Sequence, residues 1–120
     1  MQNYKSLKVW EKAHDYTLKV YTISKAFPKE EIYGLTSQLR RASMSIAANI
    51  AEGSGKNKNS EFAHFLNIAL GSANESEYLL LLAKDLGYVL EVAYQELYLK
   101  VNEIKAMLIA LIQKVRQPAT

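Results

Sequence analysis

Two arginines stand side by side at Arg40 and Arg41, an amide follows at Asn49, and an acid, Glu75, interrupts an otherwise apolar repeat. A guanidinium grips carboxylate or phosphate through a rigid fork of donors. A carboxylate left alone in an apolar stripe is costly. Folding the flanking helices back on each other about Lys56 and Asn57 sets Arg41 level with Ser72, with Glu75 within a turn. The spacing therefore predicts an ion pair between Glu75 and Arg40 or Arg41, completed by Ser72 or Gln38. Cutting a buried pair of this kind costs ~3–5 kcal/mol. In one reading Arg40, Arg41, Asn49, Ser72 and Glu75 form a polar core that sets helix register, as a single amide in a heptad seam can do. In the other, one arginine faces outward toward phosphate. Both can hold, because adjacent helical residues point about 100° apart.

Other candidate chemistry is thin. His14 and His64 fall on different helices with no second ligand at i+4, so no metal site is expected. Neither histidine has a serine nucleophile and orienting carboxylate in a recognisable motif. Glu52 reads as a partner for a loop amide or lysine rather than an acid catalyst. Gly53-Ser54-Gly55-Lys56-Asn57-Lys58-Asn59 lacks the preceding strand, the glycine spacing and the Lys-Ser/Thr pair of a phosphate loop, and reads as a turn. The eight tyrosines suit core and interface more than a base-stacking platform. No enzyme activity and no cofactor are expected.

The elements that must position these residues are four helices in one domain, 1–120, at about 7–26, 35–53, 60–86 and 91–116. Ala13, Tyr16, Val20, Ile23 and Phe27 make the first apolar stripe, and Pro28 closes it. In the second helix Leu39, Ala42, Ile46, Asn49 and Gly53 form a narrow seam, with Thr36 as N-cap and Gly53 as stop. Ser60 caps the third helix, which carries two adjacent stripes, one through Phe62, Leu66, Ala69, Ala73, Ser76, Leu80 and Ala83 and one through Phe65, Ile68, Ser72, Glu75, Leu79, Leu82 and Leu86. Gly87 closes it. Leu97, Val101, Ile104, Leu108, Leu111 and Val115 give the fourth helix a clean heptad. Short connections predict an all-α, antiparallel up-down-up-down four-helix bundle.

Composition narrows the setting. With 120 residues, 49% of them hydrophobic, the chain can bury a core unaided. It has no cysteine, its charged amino terminus does not read as a signal peptide, and its apolar runs are too short to span a bilayer. A cytoplasmic protein with no membrane partner is expected. Net charge is +3, with ten cations against five anions up to Lys58 and five against seven beyond it. The basic half can attract phosphate polymers or the acidic half of another copy. The second stripe of the third helix, with Tyr94, Tyr98, Met107, Ile109 and Ile112 off the main seam of the fourth, exceeds the apolar surface a monomer tolerates, which predicts a homo-oligomer.

The run LRRASMSIAANIAEGSG, with SEFAHFLNIALGSANESEYLL after it, resembles the four-helix-bundle proteins encoded in intervening sequences of bacterial 23S ribosomal RNA genes. The matching positions are Arg40, Arg41, Ser45, Ile46 and Asn49 to Gly53, then Phe62, Phe65, Leu66, Ile68, Ala69, Gly71, Ser72 and Glu75, with Leu7 to Trp10 similar to the family's start. Ala47 stands where many relatives place proline, so a straighter second helix is expected. The resemblance implies a ring-like homopentamer and kinship with accessory proteins of diversity-generating retroelements, which engage nucleic acid and a reverse transcriptase. The favoured reading is a non-enzymatic bundle binding RNA or DNA through Lys5, Lys8, Lys12, Lys19, Arg40, Arg41, Lys56 and Lys58. The alternative is a scaffold that docks a protein partner without touching nucleic acid.

Overall fold

The computed structural model describes residues 3–118. They form four α-helices: α1 (Lys8–Ser24), α2 (Leu35–Ser54), α3 (Asn59–Asp85) and α4 (Glu91–Arg116). Single 3₁₀ turns at Tyr4–Ser6 and Lys29–Glu31 precede α1 and α2, and no strand occurs among the described residues. The body is a rod of 52 × 23 × 20 Å. Each helix packs on the next in the chain, and α1 also packs on α4.

Apolar spacing explains which face of each helix is buried. Ala13, Tyr16 and Val20 of α1, Leu39, Ile46 and Ile50 of α2, Leu66, Ala69, Ala73 and Leu80 of α3, and Val101, Ile104 and Leu108 of α4 meet in one core with no solvent contact. Only the first stripe of α3 lies wholly inside. Along the second, Phe65, Ser72, Leu79 and Leu82 are half-buried and Ile68, Glu75 and Leu86 are exposed.

The helix ends depart from the expected caps, each for a local reason. Thr36 does not cap α2, whose first residue is Leu35. Instead the Glu31 carboxylate accepts the Leu35 amide at 3.1 Å, placing a negative charge at the positive end of the helix. The other oxygen of that carboxylate accepts the Tyr88 hydroxyl at 3.1 Å, tying the α3–α4 turn to the same point and holding the Tyr88 phenol above its usual pKa. Gly53 does not stop α2, which continues through Ser54 to a cap at Gly55. Lys58, not Ser60, occupies the N-cap of α3, without a side-chain bond. Gly87, at φ +82°, does close α3: its amide bonds the Lys84 carbonyl and the Tyr88 amide bonds that of Ala83. This is the paired pattern that a left-handed glycine allows.

Gly53 serves packing instead. A Cβ there would lie 2.7 Å from the Phe65 Cβ and 3.3 Å from the Phe62 carbonyl oxygen, so α2 and α3 approach as closely as backbone and ring permit. Across the core the Tyr16 hydroxyl of α1 meets the Ser76 hydroxyl of α3 at 2.6 Å, both residues fully buried. Burial pushes the Tyr16 phenol up to about 12.

Two stability measurements test this core. Gly53→Ala should destabilise by about 1–3 kcal/mol in a denaturant melt, because overpacking forces the helices apart. Because Tyr16 keeps its proton in the folded chain after the unfolded chain has lost it, stability present below pH 10 should fall as pH rises to about 12. Tyr16→Phe should remove that residue's share of the alkaline slope, leaving the part that Tyr88 and Tyr94 contribute. It should also cost about 1–3 kcal/mol at neutral pH by stranding Ser76, and adding Ser76→Ala should recover much of the loss.

Candidate nucleic-acid interface

The expected polar core does not assemble. Glu75 is exposed, Arg41 is exposed, and no ion pair joins Glu75 to Arg40 or Arg41 among the described residues. Ser45 of α2 meets Ser72 of α3 at 2.9 Å, four residues farther along α3 than the hairpin count places it. Ser76 then points inward, and Glu75, about 100° away round the helix, points to water.

Of that group only Asn49 and Ser72 are linked, and only through Ser45, which bonds each of them. Asn49 Nδ2 donates to the Ser45 hydroxyl at 2.9 Å and to the Ser45 carbonyl at 2.8 Å. The three residues form a half-buried polar thread between α2 and α3. Arg40 turns the other way, toward α1. Its Nε donates to the Ser24 hydroxyl at 2.7 Å, its second amino group reaches the Tyr21 carbonyl at 3.5 Å, and its guanidinium lies 4.9 Å from the centre of the Tyr21 ring. The last turn of α1 has no cation of its own, so Arg40 supplies one to its negative end.

The eight cations read as a phosphate-binding set divide by position. Lys12 and Lys19 lie midway along α1, where Lys12 pairs with Glu103 at 3.3 Å, Asp15 with Lys100 at 3.6 Å and Lys19 with Glu96 at 4.0 Å. Alternating signs on the two helices make a charge zipper there. Lys105 and Glu77 join α3 to α4 at 3.2 Å, with both side chains partly buried. Lys5, Lys8, Lys56 and Lys58 share one end of the rod, where the first turn lies against α2. The last turn of α4 comes to that end, because Val115 and Arg116 line a cleft with Asn59 and Ser60.

Lys114 and Arg116 therefore belong to the same pole, and both are exposed. Six cations face three acids there: Glu11, Glu52 and Glu61. Lys56 sits 5.3 Å over the Phe65 ring and Lys5 5.9 Å from its neighbour Tyr4, so two of the cations stand on aromatic faces. Residue order had separated Lys114 and Arg116 from the others.

Beside this pole an apolar groove of about 470 Å³ runs between α1 and α2. Trp10 and Met44 line it, and Ala47, Ala48 and Ala51 form its floor. His14 stacks on Trp10 with ring centres 5.0 Å apart and planes 7° from parallel. Among the described residues, no group of three His, Cys, Asp or Glu side chains is arranged to hold a metal ion. No helix among them is long and apolar enough to cross a membrane.

Comparison with known proteins agrees with this architecture. The family model described as 23S rRNA-intervening sequence protein matches residues 5–110. The chain is similar to a protein of unknown function from the S23 ribosomal protein family of Bacteroides thetaiotaomicron, known from its crystal structure. The two are 29% identical with a TM-score of 0.82, over 88% of this chain and 98% of that one. No protein among the curated sequences matches.

Exposure of Glu75 reverses the expected cost of removing it. Glu75→Ala should change the stability of the monomeric bundle by no more than about 0.5 kcal/mol, the usual range for a surface substitution away from special features. A denaturant titration at low protein concentration measures this, and a loss of several kcal/mol would contradict the geometry above.

Proposed function

Because the chain belongs to the 23S rRNA-intervening sequence protein family, we propose that it is a non-enzymatic helical bundle that binds RNA or other nucleic acid through backbone phosphates. The observation that carries this reading is the basic pole, where Lys5, Lys8, Lys56, Lys58, Lys114 and Arg116 outnumber the acids two to one. The zipper lysines Lys12 and Lys19 are already matched by carboxylates and contribute less. Phosphate contacts made by flexible lysines position a protein without reading bases, so the binding is tolerant of sequence.

The bundle is read as antiparallel, up-down-up-down. The α1–α4 pairs support this, since later residues of α1 meet earlier residues of α4. The protein is further read as a cytoplasmic homo-oligomer, with a five-membered ring as the expected form. Its support is exposed apolar side chains: Tyr33 is 93% accessible, Val92 82% and Leu99 67%. A ring would multiply the charge of each pole. The apolar groove along α1 and α2 favours a second reading, a scaffold docking a protein partner such as a reverse transcriptase of the retroelement kind.

A titration with structured RNA and with duplex DNA, at low and moderate salt, separates these readings. Binding should weaken linearly in log–log form, with a slope of about −3.6 to −4.5 if four or five phosphates are neutralised on the duplex. Reversing Lys5, Lys8, Lys56 and Lys58 to glutamate should abolish it while the melting midpoint holds. Absence of binding at low salt would remove the nucleic-acid reading and leave the scaffold.

A further inference from the structure

At the end of the rod remote from the basic pole, α1 stops at Ser24, and the chain turns through Pro28 and the 3₁₀ turn at Lys29–Glu31 before α2 begins. This corner encloses a cleft of about 460 Å³. Lys25, Lys29 and Arg40 line it with the Thr36 side chain, against an apolar wall of Phe27 and Ile32. None of its lining residues is acidic. The cleft between α1 and α4 differs in kind: it interleaves Lys12 and Lys100 with Glu11, Asp15 and Glu103 and so cancels its own charge.

Three further features make the corner more than a group of surface lysines. Arg40 is held in place by the Ser24 hydroxyl at 2.7 Å, and Ser24 is only 2% exposed, so one guanidinium is preorganised at the cleft wall. A guanidinium has five N–H donors, and Ser24 and Tyr21 take two of them. The neighbouring acids in sequence, Glu30 and Glu31, do not line the cleft, and the Glu31 carboxylate is turned to the Leu35 amide and the Tyr88 hydroxyl. The carbonyls at the end of α1, which would repel an anion, are answered: the amides of Lys25, Ala26 and Phe27 bond those of Thr22, Ile23 and Ser24.

We propose that this corner binds the phosphate group of a small phosphorylated molecule, with Arg40, Lys25 and Lys29 holding the anion and the Thr36 hydroxyl completing its hydrogen bonds. Ser24 acts by positioning Arg40. The apolar wall leaves room for an organic body beyond the phosphate, within the size range of ordinary ligand sites. The site is separate from the basic pole and does not depend on nucleic-acid binding.

Calorimetric titration of the full chain with inorganic pyrophosphate at low salt tests the proposal. One saturable site per chain is expected, with Kd of roughly 1 mM or tighter. Lys25→Glu with Lys29→Glu should weaken binding by roughly tenfold or more, since each charge-assisted contact is strong. Both lysines are exposed, so the fold should survive the change, and the melting midpoint verifies this. Thr36→Val should weaken binding by roughly threefold, the share of one neutral hydrogen bond. Lys56→Glu with Lys58→Glu, at the other pole, should leave pyrophosphate affinity unchanged even where it abolishes RNA binding. Titration with 5′-AMP distinguishes the ligand's source: tighter binding than pyrophosphate assigns the wall to an organic body, and equal or weaker binding assigns the site to bare phosphate. Lack of saturation, equal weakening by both lysine pairs, or unchanged affinity in both cleft variants would overturn the proposal.

Discussion

The separation of α2 and α3 governs the rest of the bundle, and it is set by what is missing from their shared face. Gly53 presents no Cβ to Phe65, and Ala69, Ala73 and Ser72 follow on α3 where larger side chains would wedge the helices apart. Because the two backbones lie so close, Ser45 and Ser72 can bond directly, hydroxyl to hydroxyl. The core beneath is thin enough for the Tyr16 phenol to cross from α1 and reach Ser76. A buried hydroxyl pair of this type adds little net energy but is expensive to misalign, so it selects one arrangement of the helices over near neighbours.

Charge is organised on a larger scale than any single contact. The α1–α4 seam is a zipper of alternating sign, and exposed pairs of this type contribute less through energy than by making a slipped seam repulsive. With the middle of the rod largely neutralised, most of the cations without a salt-bridge partner among the described residues are left at its ends. Six gather where the Tyr4–Ser6 turn, the α2–α3 turn and the last turn of α4 converge, and three line the opposite corner. Arg40 belongs to the corner because the end of α1 offers it carbonyls and Ser24, while its neighbour Arg41 faces solvent. A pair that looks like one motif in the sequence thus has two unrelated settings.

Apolar spacing made the four helices and most of their buried faces readable from residue order alone. The heptad of α4 and the first stripe of α3 are cases where every member lies in or against the core. The caps were less readable. Thr36, Gly53 and Ser60 are all residues that favour helix ends, yet each sits just inside a helix. An end is placed by whichever donor or acceptor comes within reach, and for α2 that is Glu31, brought in by a turn whose course depends on Pro28 and the packing of Tyr88.

By itself the sequence determined that the chain is all helix, where the turns fall, which face of each helix is apolar, and that its cations lie mainly in the first half. These follow from interactions between residues a few positions apart, where spacing and geometry are nearly the same thing. Only the tertiary structure decided that Glu75 faces water and Ser76 the core, that Arg40 closes α1, and that Lys114 and Arg116 join Lys56 and Lys58. Those outcomes depend on the rotation and axial offset of one helix against another. A shift of one turn, or of 100°, exchanges a buried neighbour for an exposed one without altering any local preference.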